Sequence, residues 1–528
     1  MSNLLHKIDQ AYKNHQEKKV LITRNQTLSY LELKHRVNNV ADGLFQLGIK
    51  PHSLVASILP NDIDFVILML AIAKLNATLV PLSFGTTNKA LVQAQKTLQF
   101  KHIVCWYALY SEKQASLSAN EISNWISVGK DISGLERLEN WYSISDTNTS
   151  DNKISELDSA YILTMTSGST GTPKPIELSQ NTKILRAKAA IDLYSITERD
   201  TTLVATPLYH SLAQRLIFLS LLSGGTAIIM NKFNMSGWLD CIATHHVTFT
   251  IAVSSQLKQL NNYLINNSAD LNSFRCLVSS SALLDYDTKA QLLKKLKCEF
   301  HECYGASEIA IATNIKFDST NKNMSVGHAI ANTDIVILDD DRNELAIGEV
   351  GEIACKTPMK FSGYYKQPKL TAESFYGDYF CTGDLGKFDK NKQLYYIARK
   401  KEIIITGGIN VYPSDIEEVV KAQTQIDNCI AFALHDENLG EIVALAIIPK
   451  TMEELSTLVN QIRVICATEL DHHQQPRVFF FFSSFPQNAM SKINKLEIQK
   501  IAEQSMHNAK QEQQNQAVIH SRLYFKCD

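Results

Sequence analysis

The 528-residue sequence lacks an excess of charge of either sign. It carries 52 Lys and Arg against 54 Asp and Glu, which gives a formal net charge of −2. Such a balance provides no long-range field that would attract nucleic acid or an anionic membrane. An anionic ligand must therefore be held by a few local groups, and we expect no nucleic-acid partner.

Long hydrophobic runs are lacking too. The strongest ones start at Phe65 and Leu216; the first ends at Lys74, and a Ser-Gly-Gly sequence interrupts the second. Both are shorter than the ~18 apolar residues that a membrane-spanning helix needs. They predict buried core, and we expect no transmembrane segment.

The cysteines form no disulfide or metal-binding pattern. All ten are scattered between Cys105 and Cys527, and no secretory leader precedes them; this predicts reduced thiols and a cytoplasmic protein. The nearest approach to a metal motif is CEFHEC, Cys298 to Cys303. Its residues alternate as on a strand and no second cysteine pair accompanies them, so a zinc site there is disfavoured.

Helical and strand patterns alternate over the first four hundred residues. In residues 28–49, LSYLELKHRVNNVADGLFQLGI, apolar side chains recur at helical spacing and Gly48 is placed to cap the helix. A strand, a helix and another strand follow, which is the βαβ order of a mainly parallel sheet. Further along, Ser179 is placed to cap another helix.

A chain of 528 residues exceeds what one core supports, so two or more domains are expected. Strand content rises between residues 326 and 400, and a compact α+β pattern follows. The predicted fold class is α/β: a large N-terminal domain of βαβ layers with a β-rich subdomain, plus a small mobile α+β C-terminal domain. The last, glutamine-rich stretch predicts a surface helix or loose tail.

Residues 164–179, TMTSGSTGTPKPIELS, contain a loop of small and hydroxyl residues whose main-chain amides could approach an anion closely. A Walker-type P-loop needs a glycine directly before its lysine and a helix directly after it. Here Lys174 stands between Pro173 and Pro175, and the alternating residues beyond it predict a strand. The stretch is either a solvated hairpin or a phosphate cradle of another kind.

Five segments occur in the order found in one family. They are TSGSTGTPK (166–174), ECYGASE (302–308), CTGDLG (381–386), ARKKEIIITGGINVYPSDIE (398–417) and FPQNAMSKINK (485–495). Through them the chain, from about residue 28 to residue 495, resembles the adenylate-forming superfamily, which contains acyl- and aryl-CoA synthetases, peptide-synthetase adenylation domains and firefly-type luciferases. The match covers nearly the whole chain.

The resemblance implies a nucleotide site. Tyr304 offers a face for the purine, Glu308 is a hard oxygen ligand for Mg²⁺, and Asp384 would accept hydrogen bonds from both ribose hydroxyls. The ATP-binding residues implied are Thr166, Ser167, Gly168, Ser169, Thr170, Gly171, Lys174, Tyr304, Gly305, Ser307, Asp384 and Arg399.

The resemblance also implies the catalytic groups and a domain movement. The catalytic residues would be Lys492, Glu308 and Arg399. Lys401 falls at the family's hinge, and Gly407 and Gly408 would form the wall of a narrow tunnel for an incoming thiol. The implied divisions are an N-terminal AMP-binding domain (1–397), a hinge (398–401), a C-terminal lid domain (402–505) and a polar tail (506–528).

The segment TPLYHSLA, residues 206–213, resembles the one that borders the acid pocket in acyl-CoA synthetases, so His210 would lie at that pocket. No aspartate stands between residues 206 and 223 to hold an amine, which disfavours an amino acid as substrate. Ser280 and Ser281 stand where relatives generally have glycine. Their side chains would narrow the adenine or acyl pocket, which argues against a long straight fatty chain.

Arg215, in the apolar helix LAQRLIFLSLL, leaves two alternatives open. It either reaches the surface and pairs there, or it faces the pocket and selects a substrate with a second acidic group.

The activity implied is ATP-dependent activation of a medium-chain or aryl carboxylic acid through an acyl-adenylate, followed by transfer to the thiol of CoA. The cofactors and partners would be ATP, Mg²⁺, the acid, and CoA. One alternative is an acyl-AMP ligase that loads the phosphopantetheine of an acyl carrier protein. Another is a nucleotide-binding module without turnover, which the departures from the family pattern at Pro175, Ser280, Ser281 and Ser491 suggest.

Overall fold

The computed structural model describes residues 4–13, 15–118, 121–143, 157–166, 174–318, 324–436, 438–452, 454–487, 493–514 and 524–527. The chain divides into two compact units: Met1–Ile335 with Ala354–Phe380, and Val336–Ile353 with Cys381–Asp528. Within the described ranges, no helix combines the length and the apolar character that a bilayer crossing demands.

Six helices of the described residues, among them those that start at Tyr30 and Gln180, begin at a side-chain cap. Ser29 and Glu32 form a reciprocal capping box, with Glu32 N donating to Ser29 Oγ over 3.2 Å and Ser29 N donating to Glu32 Oε2 over 2.7 Å. Gly48, at φ +85°, follows the end of the same helix, as predicted. The helices are α1 (Leu4–Tyr12), α2 (Tyr30–Gln46), α3 (Ile63–Lys74), α4 (Asn88–Leu98), α5 (Tyr110–Ala115), α6 (Gln180–Leu193), α7 (Ser211–Ser223), α8 (Met235–His245), α9 (Ser254–Asn266), α10 (Tyr286–Lys295), α11 (Pro368–Glu373), α12 (Pro413–Lys421), α13 (Leu455–Glu469) and α14 (Lys495–Gln514).

The strands alternate with these helices through most of the first unit, which confirms the α/β class. In chain order they are β1 (Lys19–Ile22), β2 (Thr27–Ser29), β3 (Leu54–Ile58), β4 (Thr78–Pro81), β5 (His102–Trp106), β6 (Asn124–Val128), β7 (Glu136–Arg137), β8 (Ala160–Thr166), β9 (Lys174–Ser179), β10 (Thr201–Val204), β11 (Thr226–Ile229), β12 (Phe249–Val253), β13 (Cys276–Ser280), β14 (Glu299–Tyr304), β15 (Thr313–Lys316), β16 (His328–Ala329), β17 (Asp334–Leu338), β18 (Gly351–Lys356), β19 (Gly363–Tyr364), β20 (Phe375–Tyr376), β21 (Tyr379–Phe388), β22 (Leu394–Arg399), β23 (Ile404–Thr406), β24 (Ile409–Val411), β25 (Ile426–Asp436), β26 (Gly440–Pro449), β27 (Val478–Phe482) and β28 (Tyr524–Cys527).

The first unit contains two large sheets, as far as the described ranges go. One has the order β16-β15-β14-β13-β12-β10-β11-β1-β2, and the strands from β11 to β14 run parallel. The other has the order β19-β9-β8-β4-β3-β5-β6-β7, in which β8 and β9 form an antiparallel hairpin. Their carboxyl ends are where parallel sheets usually bind ligands.

Helices α6 and α7 pack against each other, α6 also against β9 of one large sheet and α7 against β10 and β11 of the other. Ser179 caps α6 by accepting a hydrogen bond from Thr182 N over 3.1 Å, as predicted. Apolar side chains of both helices belong to the main hydrophobic core. A polar side chain on their inner faces is therefore enclosed by the protein.

A smaller sheet has the order β17-β18-β21-β20, with β22 paired to β21, and accounts for the strand-rich stretch predicted between residues 326 and 400. The second unit contains a sheet of order β24-β23-β26-β27-β28, with β25 paired to β26, and α12 and α13 belong to its core. The sequence predicts the helix of the polar tail but not β28, which pairs in parallel with β27.

Candidate active site

The predicted phosphate loop connects β8 and β9, whose antiparallel register places Thr166 opposite Lys174. Lys174 is the first residue of β9, which confirms that this lysine lies on a strand and not on a helix. The loop itself falls outside the described residues, and with it Ser167, Gly168, Ser169, Thr170 and Gly171. The two strands thus bring the two ends of the predicted cradle together.

One aromatic side chain contacts both charged groups that the sequence assigns to the phosphates. Lys174 Nζ lies 5.2 Å from the centroid of the Tyr364 ring, and the Tyr364 hydroxyl donates to Glu308 Oε1 over 3.4 Å. Tyr364 is held there because β19 pairs with β9 and sets it opposite Ile176. Lys174 and Glu308, far apart in sequence, are thereby brought close together.

The segment from Tyr304 to Glu308 leaves the end of β14 and turns sharply. A Cβ atom on Gly305 would lie 1.7 Å from the main-chain oxygen of Ala310, so only glycine fits there. The close approach that the sequence predicts at Gly305 is therefore required by the fold of its own loop. Tyr304 is half-buried and Ser307 exposed at this turn.

Arg186 holds this turn in place, and sequence reasoning missed it. Its guanidinium donates to main-chain oxygens of Met359 (Nε, 2.9 Å), Ser307 (Nη1, 2.9 Å) and Glu308 (Nη2, 2.8 Å), and to Ser211 Oγ (Nη1, 3.2 Å). The side chain is 2% exposed. Arg186 stands at helical spacing among the buried residues Ile184, Ala187 and Ala190 of α6, and a basic residue in that pattern is the signal that could have identified it.

Glu308 provides what an Mg²⁺ ion bound to ATP requires of a protein. It is a half-buried carboxylate at the end of a fixed turn, and it is linked through one tyrosine to the lysine of the phosphate hairpin. Mg²⁺ usually takes one or two carboxylates from the protein and completes its shell with phosphate oxygens and water. The residues present therefore fit the metal that the sequence predicts.

His210 precedes α7 and packs against Tyr209, with ring centroids 4.4 Å apart. The segment is fixed by Asn61, which donates to the oxygen of Thr206 over 2.9 Å and accepts from Leu208 N over 2.7 Å. Asn61 follows β3 and is a second residue that sequence reasoning missed. Its side-chain amide binds one main-chain oxygen and one main-chain N–H of the segment. These two hydrogen bonds hold the pair of Tyr209 and His210 in one position.

Ser280 ends β13, and Ser281 follows it with φ +83°. That backbone conformation favours glycine, the residue that relatives generally carry. Ser254 Oγ donates to the oxygen of Ala282 and helps to fix the turn. The serines thus add side chains at a strained turn beside β14, and their narrowing of the adenine or acyl pocket stays a prediction.

Arg215 does not reach the surface, so the surface alternative was wrong. It is 8% exposed, because α7 is covered by its neighbours along this face. Tyr194 and Cys303 are close enough to raise its pKa, whereas burial lowers it and is the larger effect.

In the second unit, Asp384 and Arg399 lie opposite each other on β21 and β22. Arg399 Nη1 donates to Asp384 Oδ1 over 2.5 Å and to the oxygen of Thr382 over 2.8 Å. The two residues assigned to the ribose and the phosphate therefore form one ion pair. Asp384 is 6% exposed, so its carboxylate is positioned by this partner and by the strand.

The residues predicted to form the hinge and the thiol tunnel come next in the sequence after Arg399. Lys401 is exposed in a single 3₁₀ turn, Lys400–Glu402. Gly407 and Gly408 have φ +58° and +81° and form the two-residue turn between β23 and β24, where such angles are required. Lys492 lies outside the described residues.

Two residues of the CEFHEC segment, Glu299 and His301, lie close to Cys276 on the neighbouring strand β13. Ligand atoms of Cys276, Glu299 and His301 lie within 4.8 Å of one another. Glu299 is paired with Lys316, and the Nδ1 atom of His301 lies 3.0 Å from the Asn314 amide. Glu299 and His301 are thus already engaged within the protein.

Comparison with known proteins identifies the family of the chain. The model of the family described as AMP-binding enzyme matches residues 8–365. Feruloyl-CoA synthase of an Amycolatopsis species is 25% identical over 476 residues, which are 90% of this chain and 94% of the relative. A long-chain fatty acid–CoA ligase of Mycobacterium tuberculosis is 27% identical, over 89% and 92% of the two chains.

Among solved structures, ATP-bound MatB from Rhodopseudomonas palustris superposes with a TM-score of 0.85 at 24% identity, covering 94% of this chain and 99% of that one. The chain belongs to the AMP-binding enzyme family. It is an AMP-forming acid–thiol ligase, a class that works with ATP, Mg²⁺ and CoA.

Proposed function

We propose that this protein activates a medium-chain or aryl carboxylic acid as its acyl-adenylate and then transfers the acyl group to the thiol of CoA. The observation that carries the proposal is the grouping of Lys174 and Glu308 around Tyr364 at the β8–β9 hairpin. A cation and a metal-binding carboxylate beside a phosphate loop suit a reaction whose barrier is mainly electrostatic.

In the first step, a carboxylate oxygen attacks the α-phosphorus of ATP and pyrophosphate leaves. No general base is needed, because the acid is already ionised near neutral pH. Lys174 and the loop amides would hold the departing pyrophosphate, and Lys492 would bridge the carboxylate and the α-phosphate. Mg²⁺, held by Glu308, would neutralise phosphate charge when bound.

Asp384 and Arg399 would hold the ribose and its phosphate. Their mutual hydrogen bond supports this role, since it fixes the carboxylate before the nucleotide arrives. In the second step, the thiol attacks the activated carbonyl carbon and AMP leaves. Rotation at Lys401 would withdraw Lys492 and bring the turn of Gly407 and Gly408 to the incoming thiol.

Other acceptors remain as alternatives to CoA. Holo acyl carrier protein ends in the same phosphopantetheine thiol, so an acyl-AMP ligase would use the same first step. The turnover-free nucleotide module is disfavoured, because Lys174, Glu308, Asp384 and Arg399 are all retained and engaged in ordered contacts. We also propose a cytoplasmic location, which suits ten cysteines that are all free thiols.

The test is acid-dependent release of pyrophosphate from ATP and Mg²⁺ across fatty, aryl and dicarboxylic acids, with CoA, with holo carrier protein and with neither. We expect release with some acids, and thioester formation with CoA. Release with thioester formed only on the carrier protein would favour the alternative acceptor. Folded protein that binds ATP yet releases no pyrophosphate with any acid would overturn the proposal.

Variants assign the residues. Lys492→Ala should abolish adenylation while leaving ATP affinity nearly unchanged. Glu308→Gln should raise the Mg²⁺ concentration needed for half-maximal rate. Lys369→Ala, at a side chain that is 92% exposed, is the matched control and should match the wild type. Full activity in Lys492→Ala would remove that lysine from the mechanism.

A further inference from the structure

Arg215 is a buried guanidinium without a partner in the part of the chain that the structure describes. It lies on α7, is 8% exposed, and forms no ion pair or hydrogen bond with any described residue. Its Nε atom in particular is enclosed and unbonded. An arginine side chain stays protonated at any physiological pH, so the positive charge is retained.

The surroundings of Arg215 contain two further basic side chains. Lys183 and Arg186 lie on the facing helix α6, are each 2% exposed, and form no ion pair with a carboxylate among the described residues. Burial first, and then Arg186 and Arg215, lower the pKa of Lys183 well below its usual range. Three buried basic groups therefore share one region.

Two of these three basic groups are already committed to the protein. Lys183 Nζ donates to Gln214 Oε1 over 2.5 Å, and Arg186 uses its donors on the oxygens of Ser211, Ser307, Glu308 and Met359. They serve the fold. Arg215 alone offers donors that no described group accepts.

A buried, unpaired charge is costly, and an apolar side chain of similar volume would fill the space at lower free energy. The arrangement becomes favourable only when an anion joins it. Charge-assisted, bidentate pairing with a carboxylate is the geometry that a guanidinium fits best. Arg215 is therefore suited to a ligand anion.

The position of Arg215 connects it with the acid pocket. It lies just over one turn after His210 on α7, and Cys303, which influences its pKa, directly precedes Tyr304. Ser280 is close enough to Cys303 to lower the pKa of its thiol, although burial has the larger, opposite effect. The guanidinium thus lies near Cys303, at the end of strand β14 next to the tyrosine assigned to the adenine, and parallel sheets bind ligands at the carboxyl ends of their strands.

We propose that the substrate acid carries a second carboxylate and that Arg215 binds it, so that the enzyme prefers dicarboxylic acids. The inference rests on the proposed acid activation and names its substrate class. The carboxylate held by Arg215 would fix the far end of the acid, while the other carboxylate meets the nucleotide. Binding energy at the remote end would then align the reacting end.

The first test needs only the wild-type protein. Pyrophosphate release is measured with the linear diacids from succinate to suberate and with the three benzenedicarboxylates, each against its monomethyl ester. We expect kcat/KM for at least one diacid to exceed that of its ester by about 100-fold, far above the factor of two that a symmetrical diacid gains from having two reactive ends.

The outcomes separate the inference from the function on which it rests. If esters and diacids react within twofold of each other in every pair, the enzyme activates acids but the inference is wrong. If no acid of any kind supports release, the proposed function itself fails, and the inference fails with it.

The second test uses variants. Arg215→Met should reduce the diacid preference to about twofold while the KM for ATP stays unchanged, and Arg215→Lys should keep part of it. Arg199→Met is the control, since that arginine is 90% exposed. The preferred diacid should raise the Tm of the wild type and not that of Arg215→Met. An unchanged diacid preference in Arg215→Met would overturn the inference, and so would a complete loss of the diacid preference in Arg199→Met. If Arg215→Met does not fold, the comparison of Arg215→Lys with the wild type and the ester series decide.

Discussion

Arg186 donates through Nη2 to the main-chain oxygen of Glu308 over 2.8 Å. The same guanidinium binds the oxygen of Ser307 over 2.9 Å, so one buried side chain on α6 fixes two consecutive peptide groups at the proposed metal ligand. The Glu308 residue is therefore positioned through its main chain by Arg186 and through its carboxylate by the Tyr364 hydroxyl.

We therefore expect Arg186→Met to lower kcat/KM by about 100-fold, since a displacement of about 1 Å at a reacting centre has an effect of that size. A mainly structural residue would change stability alone. The distinguishing measurement is the Mg²⁺ titration of pyrophosphate release, whose midpoint should rise. Arg186→Lys should restore part of the activity, and Arg199→Met serves as the control. An unchanged Mg²⁺ midpoint in Arg186→Met would contradict the positioning role.

Ser281→Gly should stabilise the protein. Ser281 has φ +83°, a conformation that costs a residue with a Cβ roughly 1–2 kcal/mol and glycine almost nothing. We expect a higher urea midpoint, reduced in part by the greater entropy of glycine in the unfolded chain. Ala282→Gly, one position along and without a positive φ, should be neutral or destabilising. Equal effects of the two changes would show that the turn is not strained.

Gly408→Ala should slow thioester formation more than pyrophosphate release. Gly408 has φ +81°, and an added Cβ would meet nothing within 4 Å, so the change acts through the backbone of the turn. The turn should distort at a cost of about 1 kcal/mol. Gly408→Asn, which tolerates this conformation, should be milder. The two half-reactions are measured separately, and equal slowing of both would argue against a role in thiol entry.

The buried carboxyl group of Asp64 should make the folded protein less stable as the pH rises. Burial raises the pKa of its carboxyl to about 6, from 3.8, and the Tyr142 hydroxyl lies 2.5 Å from Oδ1. Because the folded-state pKa is the higher one, the native state keeps a proton that the unfolded chain releases. The stabilisation is complete below about pH 4 and is lost as the pH rises through about 6, by about 2–3 kcal/mol in total.

Asp64→Asn should remove this dependence, since the amide does not titrate. The measurement is the free energy of unfolding in urea at pH 4.5 and pH 7.5 for both proteins. The wild type should lose more stability than the variant over this interval. A parallel change in the two proteins would assign the pH dependence to other groups.

Much of the fold follows from local sequence. The spacing of the apolar residues, the capping serine and the closing glycine predict the helix from Tyr30 to Gln46. The prolines on either side of Lys174 predict that this lysine lies on a strand. These signals act within one turn or one strand, so they can be recognised without knowing which distant elements pack against that turn or strand.

The residues that complete the site are of another kind. Tyr364 lies beside Lys174 only because β19 pairs with β9, and Arg186 meets Glu308 only because α6 packs near the end of β14. Arg215 was ambiguous in the sequence because an apolar helix can be buried on one face or on all. Such contacts depend on which distant elements become neighbours, which a single sequence does not specify.

Lys495 Nζ binds Glu402 Oε2 over 2.6 Å. Glu402 immediately follows the proposed pivot at Lys401, and Lys495 begins α14, three residues beyond Lys492. The ion pair therefore ties the residue after the proposed hinge to the first residue of α14. Both side chains are partly exposed, so salt should weaken this contact, and the ionic strength would set how firmly the segment after the proposed hinge is held to the helix.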